Sequence, residues 1–361
     1  MTPSSHQAEH KSAGKNVPVF LRSSTILLAQ WVHINLLVRE MTMLDKMIYS
    51  VIFAVLTFLA AAMNATAENA ASATRAVLIT GASSGIGKRT AELLSKNGHF
   101  VYAGARKQKD LDALNTMKNV EAVRLDVTVP KDIDNAVQQI TKAGRGLYGV
   151  VNNAGVIIVA PLIEVEESDL NFQFDVNIYG PYRVTRAFAP MLMESKGRVV
   201  NISSISGTLS APLMGGYSMS KHALEAYTDS LAKEINKFGV KVIAVEPGNY
   251  ASKIGESAKE RFLTLGRTPE GSLFEKQMSS ALSRAGERTT MADPIAVAKA
   301  VEHALFSESP KTRYMVVPNQ REAEITIRKA IQEMVELNHD QNYSYDRDAL
   351  VKMVDEAMQA L

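Results

Sequence analysis

The feature that most constrains the fold of this chain is a series of seven short, apolar, β-rich runs, most of them separated by stretches long enough for a helix. Strands that alternate with crossover helices form parallel sheets with helices on both faces. The order of the runs therefore predicts an α/β fold, a doubly wound parallel sheet of about seven strands in a single domain. The predicted strands are AVLIT (76–80), FVYAG (100–104), VEAVRL (120–125), LYGVVN (147–152), GRVVNIS (197–203), VKVIAVE (240–246) and RYMVVP (313–318).

The composition excludes several classes of function. Forty basic and 38 acidic side chains leave a formal net charge of +2, which is too balanced for the positive surface that nucleic-acid binding requires. The chain contains no cysteine, which excludes disulfides, thiolate catalysis and metal sites built on sulfur. We therefore expect neither a nucleic-acid partner nor a bound metal.

Residues 1–72 precede the predicted domain and differ from it in composition. The polar stretch 1–17 has no apolar period and is expected to be disordered. Residues 47–67 carry no charge, and 21 helical residues cover about 31 Å, which is close to the thickness of a bilayer core. The hydrophobic segment 48–67 is therefore expected to direct the chain to a membrane.

Two outcomes are open for this segment. Basic residues precede it and Glu68 follows it, which favours a single transmembrane helix with the N-terminus in the cytoplasm. Ala65-Thr66-Ala67 is also a small-x-small site of the kind that ends a signal peptide, which favours an exported chain cleaved near Ala67.

A glycine-rich turn, TGASSGIG (80–87), joins the first predicted strand to a helix that ends near Gly98. Glycines at such a turn let the backbone approach a pyrophosphate, and the N-terminus of the helix supplies N–H donors and positive potential. A second turn, NNAG (152–155), closes the fourth predicted strand. Ligands bind at the carboxyl ends of the strands in such sheets, so both turns are expected at one binding site.

The decisive set of residues is Ser204, Tyr217 and Lys221. Tyr217 and Lys221 are four residues apart at the start of a predicted helix that ends at Gly239, so they lie on one helix face. A free phenol has a pKa of about 10, and an adjacent ammonium group favours the phenolate. A tyrosine in this setting becomes a general acid–base.

Together these motifs resemble the short-chain dehydrogenase/reductase family over roughly residues 74–318. Pro247-Gly248 after the sixth predicted strand completes the pattern. The stretches VYAGARK, FDVNIYGPYRVTRAFAPML and VEPGNY look most like the branch that contains retinol and 17β-hydroxysteroid dehydrogenases. The resemblance implies a Rossmann fold over residues 73–318, in which residues 253–290 form a substrate lid.

The resemblance also implies a role for each catalytic residue. Tyr217 is expected to be the acid–base, and Ser204 to orient and polarise the carbonyl or alcohol. Lys221 is expected to lower the pKa of the Tyr217 phenol and to bind the nicotinamide ribose. Asn177, in the stretch DVNIYG, is expected to hold the water of a proton relay.

The choice of cofactor follows from charge at the end of the second strand. An acidic residue there binds the ribose of NAD, whereas a basic residue favours the 2′-phosphate of NADP. The sequence places Ala105, Arg106 and Lys107 at this point, which favours NADP(H) and leaves NAD(H) open. Ser252 replaces a threonine that is common in the family. The expected cofactor-binding residues are Gly81, Ser83, Ser84, Gly85, Ile86, Gly87, Arg106, Asp126, Asn153, Gly155, Tyr217, Lys221, Pro247, Gly248 and Ser252.

Apolar periods after Arg321 predict two amphipathic helices in a C-terminal extension, residues 319–361. Their apolar faces are expected to pack on the core of the domain, with the substrate pocket or a partner subunit of a homo-oligomer as alternatives. The sequence as a whole predicts an NADP(H)-dependent oxidoreductase that interconverts a hydrophobic alcohol with its ketone or aldehyde. The alternative is a catalytically silent NADP(H)-binding scaffold or sensor.

Overall fold

In the computed structural model, the described residues are 75–360, together with 43, 52 and 54–58. The chain divides into two compact units, residues 1–70 and residues 71–361. Within the hydrophobic segment 48–67, residues 52 and 54–58 are helical and exposed; the rest of it, like the stretch 1–17, lies outside the described residues. Among the helices of the described residues, none combines the length and the hydropathy of a membrane span.

The strands confirm the predicted parallel sheet, and each begins and ends within two residues of its predicted bounds. They are β1 (Ala76–Ile79), β2 (Phe100–Ala105), β3 (Val120–Arg124), β4 (Gly149–Asn152), β5 (Arg198–Ile202), β6 (Lys241–Pro247) and β7 (Arg313–Val316). In the described part of the chain they pair in the order β3-β2-β1-β4-β5-β6-β7, all parallel. The direction of winding reverses between β1 and β4, and such a reversal opens a crevice at the carboxyl ends of the strands.

Helices connect the strands and extend the chain beyond β7. Within residues 75–360 they are α1 (Gly85–Lys96), α2 (Gln108–Asn115), α3 (Pro130–Ala143), α4 (Glu167–Phe174), α5 (Gly180–Glu194), α6 (Gly215–Ile235), α7 (Ile254–Thr264), α8 (Glu275–Ser283), α9 (Ile295–Phe306), α10 (Gln320–Asn338) and α11 (Arg347–Gln359). A π-helical turn, Asp175–Tyr179, joins α4 to α5, and a 3₁₀ turn, Asn236–Phe238, carries the end of α6 to Gly239.

The core lies on both faces of the sheet, because the residues of each strand alternate between the faces. Val77 and Ile79 of β1 pack in the cluster that includes α1, α2 and α9. Ala76 and Leu78 pack in the cluster that includes α3 and α5, with residues of α6 packed against it. Burial on both faces explains why the strands read as continuous apolar runs.

A chain of buried polar side chains ties the ends of β4 and β5 to the helices behind them. Asn152 donates from Nδ2 to Asn201 Oδ1 at 2.8 Å and to Thr185 Oγ1 of α5 at 3.0 Å. Asn201 in turn donates to Thr228 Oγ1 of α6 at 2.9 Å. Since buried polar groups are costly when they lose their partners, this chain fixes where α6 lies against the sheet.

The two predicted C-terminal helices are present as α10 and α11, but their packing differs from the expectation. Ile327, Ile331 and Val335 of α10 are about half exposed, and Val351 and Val354 of α11 are exposed as well. The prediction that these faces pack on the core is therefore wrong for most of their apolar side chains. Near its start, α10 instead reaches the crevice at the carboxyl ends of the strands, through Ile325.

Candidate active site

A cleft of about 830 Å³ opens at the carboxyl ends of β1 and β4, where the winding reverses. Nearly all of the predicted site residues line it, from the glycine-rich turn at one end to Ser204, Tyr217 and Lys221 at the other. Gly87 and Asn177 are the exceptions among the predicted residues; both lie behind the wall of the cleft. Ser83, Ser84, Ile86, Gly155, Pro247 and Gly248 are among the lining residues.

The glycine-rich turn depends on close backbone packing against the end of β4. Gly81 has a φ of +65°, and a Cβ at this position would lie 2.9 Å from the Cα of Ala154. The Asn153 side chain donates to the carbonyl oxygens of Thr80 and Gly81 at 2.9 and 3.0 Å. Asn153 therefore holds the two predicted turns together, a role that the sequence pattern does not reveal.

The lack of a side chain at Gly87 allows the glycine-rich turn and Asn153 to pack this closely. A Cβ at Gly87 would overlap the Asn153 side-chain amide and the carbonyl oxygen of Gly81. On the other side of the turn, Gly85 has a φ of +55° and lies against the Cβ of Ser252. The first turn of α1 is thus held between β4 and the loop after β6, with its N-terminus directed to the cleft.

At the outer end of the cleft, Arg106 follows β2 and Asp126 follows β3. Arg106 Nη1 lies 3.6 Å from Asp126 Oδ2, and the Arg106 side chain is 56% exposed. Burial alone raises the pKa of Asp126, but hydrogen bonds from the hydroxyl and N–H of Thr128, together with the positive charge of Arg106, outweigh it and lower the pKa. Asp126 is therefore ionised and keeps Arg106 at the edge of the cleft.

Lys221 is the most constrained side chain of the site. It is 5% exposed, and its Nζ donates to the carbonyl oxygen of Ile202 at the end of β5 at 2.8 Å. Burial lowers the pKa of Lys221 to about 8, and the negative charge of Glu225, one helical turn later, acts in the opposite direction. Lys221 Nζ lies 5.6 Å from the centre of the Tyr217 ring, as the four-residue spacing predicts.

Ser204 is oriented by its own backbone turn. It is 8% exposed, and its Oγ accepts a hydrogen bond from the N–H of Ser206 at 3.0 Å. The hydroxyl is 3.5 Å from the carbonyl oxygen of Pro247, which is a long contact for a hydrogen bond. The Ser204 hydroxyl is thus held in place as an acceptor while its proton is available to a group in the cleft.

Asn177 lies in the π-helical turn and supports the substrate side of the cleft from behind. Its Oδ1 accepts from the N–H of Val156 at 2.8 Å, and its Nδ2 donates to the carbonyl oxygen of Val156 and to Ser220 Oγ, both at 3.0 Å. The contacts join the loop after β4 to α6. A water-holding role for Asn177 stays a prediction, since its polar atoms make these protein contacts.

Two elements of the site were not predicted from the sequence. Glu322 of α10 accepts a hydrogen bond from the N–H of Asn249 at 2.8 Å and packs over Gly248. The pattern Asn319-x-x-Glu322 is a signal for a helix start, and Asn319 does cap α10. Arg261 of the lid is the second element; it stacks over the ring of Phe172 at 4.0 Å in the wall of the cleft.

The comparisons with known proteins agree with this arrangement. Residues 75–261 match the family described as short chain dehydrogenase. The uncharacterized oxidoreductase YbbO of Escherichia coli is 35% identical over 67% of this chain and 85% of its own length. Human retinol dehydrogenase 16 is 36% identical over 66% of this chain and 79% of its own length.

Solved structures share the fold. A short-chain dehydrogenase from Streptomyces avermitilis has a TM-score of 0.62 and 30% identity, and the match covers 73% of this chain and 94% of that one. Proteins of similar fold have been solved with NADP, from Burkholderia cenocepacia (22% identity, TM-score 0.57), and with NAD, from Brucella melitensis (25% identity, TM-score 0.53).

The packing at Gly87 generates a prediction. Gly87→Ala forces Asn153 and the glycine-rich turn apart, so we expect the affinity for NADPH to fall about tenfold or more and the free energy of unfolding to fall by about 1–3 kcal/mol. Fluorescence titration with NADPH and urea denaturation measure the two effects. Gly286→Ala is the matched control, because a Cβ there meets open space. An unchanged affinity in Gly87→Ala would show that the turn does not depend on this contact.

Proposed function

This chain belongs to the short-chain dehydrogenase family, and from that premise we propose that it is an NADP(H)-dependent oxidoreductase that interconverts a hydrophobic alcohol with its ketone or aldehyde. The observation that carries the proposal is the convergence of Ser204, Tyr217 and Lys221 with the glycine-rich turn around one cleft. The lining of the cleft extends from the glycine-rich turn to Tyr217, so we place a dinucleotide at the turn and a second molecule beside Tyr217.

The residues of the turn fit a dinucleotide. Gly81 and Gly85 line the cleft just before and at the start of α1, and the N-terminus of this helix supplies N–H donors and positive potential for a pyrophosphate there. Lys221 would hold the nicotinamide ribose near Tyr217. When bound, NADPH supplies the hydride for reduction, and NADP⁺ accepts it in oxidation.

The chain itself moves the proton. In reduction, the Tyr217 hydroxyl donates its proton to the carbonyl oxygen of the substrate, and in oxidation the same oxygen of Tyr217 takes a proton from the alcohol. Ser204 donates a hydrogen bond to the substrate oxygen and polarises the carbonyl. The positive charge of Lys221 stabilises negative charge on Tyr217 during either transfer.

The preference for NADP(H) rests on charge at the outer end of the cleft. Arg106 and Lys107 both line this end, and Arg106 is exposed enough to contact a phosphate. A guanidinium group matches the geometry of a phosphate with two parallel hydrogen bonds. Asp126 then orients Arg106 and faces the adenine end.

The hydrophobic substrate class rests on the other end of the cleft. The walls beyond Tyr217 carry apolar side chains from the loop after β4, from α4, from the segment between Ser204 and α6, from the lid and from α10. They include Ile157, Phe172, Leu209, Met214, Leu265 and Ile325. An apolar wall with a few convergent polar groups is typical of a site that takes a hydrophobic ligand and orients one oxygen.

We also propose that the chain is associated with a membrane through residues 48–67, with the N-terminus in the cytoplasm. The alternative is export after cleavage near Ala67. The uncharged length of residues 47–67 supports either outcome. Membrane fractionation together with N-terminal sequencing of the mature chain distinguishes a retained anchor from a cleaved signal.

The acid–base role of Tyr217 is tested by Tyr217→Phe, which removes the hydroxyl and keeps the ring. We expect NADPH-dependent reduction of a lipophilic ketone to fall by about 10²–10⁴-fold, because the proton donor is lost. The affinity for NADPH, measured by fluorescence titration, should change by less than about twofold. Tyr179→Phe is the control, since Tyr179 is exposed and away from the cleft.

Two results would contradict the proposal in different ways. Full turnover in Tyr217→Phe would show that the Tyr217 hydroxyl is not the acid–base of the reaction. NADPH binding by the unchanged protein, with no turnover across a panel of steroids, retinoids and short ketones, would favour the silent scaffold or sensor instead.

The cofactor preference is tested by Arg106→Ala. We expect the ratio of NADPH affinity to NADH affinity to fall about tenfold or more, which corresponds to about 1.4 kcal/mol, because only NADPH carries the 2′-phosphate. Lys109→Ala removes an exposed positive charge that does not line the cleft and should leave the ratio unchanged. A ratio that is equally unaffected by Arg106→Ala would contradict the preference for NADP(H).

A further inference from the structure

The lid, residues 253–290, is held to the domain with little apolar packing. Every residue of α7 is at least partly exposed, and α8 buries Met278. Leu263 of α7 and Leu265 just after it are about half exposed, and Leu273 is 81% exposed. Since apolar burial is the usual source of stability for a helix, the position of this lid must depend on other contacts.

Two carboxylates next to the cleft supply those contacts. Asp169 of α4 accepts from Arg261 Nη2 at 3.0 Å and also pairs with Arg267. Glu164 accepts from the hydroxyl of Ser272 at 2.5 Å and from the N–H of Leu273 at 2.9 Å. One carboxylate therefore binds the α7 part of the lid, and the other binds the turn before α8.

Asp169 is the stronger of the two constraints because it is buried. Its side chain is 1% exposed, whereas Arg261 and Arg267 are each about one third exposed. A buried carboxylate is costly unless cations and hydrogen bonds compensate it. Displacement of the two lid arginines would leave the charge of Asp169 unpaired, so this cost holds both arginines in place. Both arginines belong to the lid, and their carboxylate belongs to the domain.

The ion pair of Asp169 with Arg261 shapes the wall of the cleft. The Arg261 guanidinium stacks over the Phe172 ring at 4.0 Å, and both side chains line the cleft on the substrate side. Asp169 does not itself line the cleft. It acts through Arg261, whose position over Phe172 it determines.

We infer that Asp169 is a positioning residue for substrate specificity: it holds Arg261 against Phe172 and so fixes the lid side of a pocket for a large hydrophobic substrate. The inference rests on the proposed function. A small ketone needs only Tyr217 and Ser204, whereas a large one also contacts the wall that the lid provides. Loss of Asp169 should therefore penalise large substrates selectively.

The test compares Asp169→Asn with the unchanged protein in the full chain. We expect the KM for a bulky lipophilic ketone to rise about tenfold or more, the KM for a short ketone to change less than about twofold, and the affinity for NADPH to stay the same. Glu167→Gln is the control, because Glu167 is an exposed acid on the same helix. Equal changes in KM for both ketones, or no change in either, would overturn the inference.

A second variant keeps the test decisive if Asp169→Asn does not fold. Arg267→Gln removes one of the two ion pairs and leaves Asp169 with Arg261. The KM for the bulky ketone should therefore rise selectively again, but by a smaller factor. Cleavage within the lid by chymotrypsin, whose sites there are the same in all variants, should also become faster in both variants than in Glu167→Gln. The rate of cleavage depends on how firmly the lid is held and not on turnover. If the unchanged protein reduces no ketone but the lid is cleaved faster in both variants, the proposed function alone is contradicted. If cleavage is unchanged in both variants, the inference alone is contradicted.

Discussion

The hydrogen bond from Lys221 to the carbonyl oxygen of Ile202 is the contact on which the site depends. A charged amine that is 5% exposed requires a partner, and the end of β5 supplies it at 2.8 Å. Lys221 can reach that carbonyl because α6 crosses behind β5, where Thr228 binds Asn201 of the same strand. The buried polar chain through Asn152 and Asn201 therefore determines the distance between the helix that carries Tyr217 and the strand that leads to Ser204.

The sheet and the segments around the substrate end are stabilised by different interactions. The sheet and its crossover helices are stabilised by apolar burial on both faces. The segments that surround the substrate end are attached by a few carboxylates: Asp169 and Glu164 bind the lid, and Glu322 binds the loop at Asn249. This division places the residues of the proposed hydride and proton transfer on the packed sheet and its helices, while the walls proposed to select a substrate depend on a few polar contacts.

Local patterns in the sequence predict the scaffold well. The alternation of strands and helices, the glycine-rich turn and the four-residue spacing of Tyr217 and Lys221 each depend on neighbours in the chain. The contacts of Gly87 with Asn153, of Asp169 with Arg261 and of Glu322 with Asn249 join positions 66, 92 and 73 residues apart in the chain. No periodicity or motif encodes such pairs, so they were missed. The π-helical turn at Asn177 and the exposure of α10 and α11 likewise depend on tertiary packing, which propensity does not determine.

The pH dependence of NADPH-driven reduction tests the central claim, that a protonated, buried Lys221 beside Tyr217 is required. Because burial lowers the pKa of Lys221 to about 8, the amine is charged at neutral pH and loses its proton as the pH rises through that value. We predict that kcat/KM for NADPH, which reports the free enzyme, is level near pH 7 and falls above about pH 8. In Lys221→Arg, whose guanidinium stays charged, any residual activity should lack this fall. A profile of the unchanged protein that stays level to pH 10 would contradict the account.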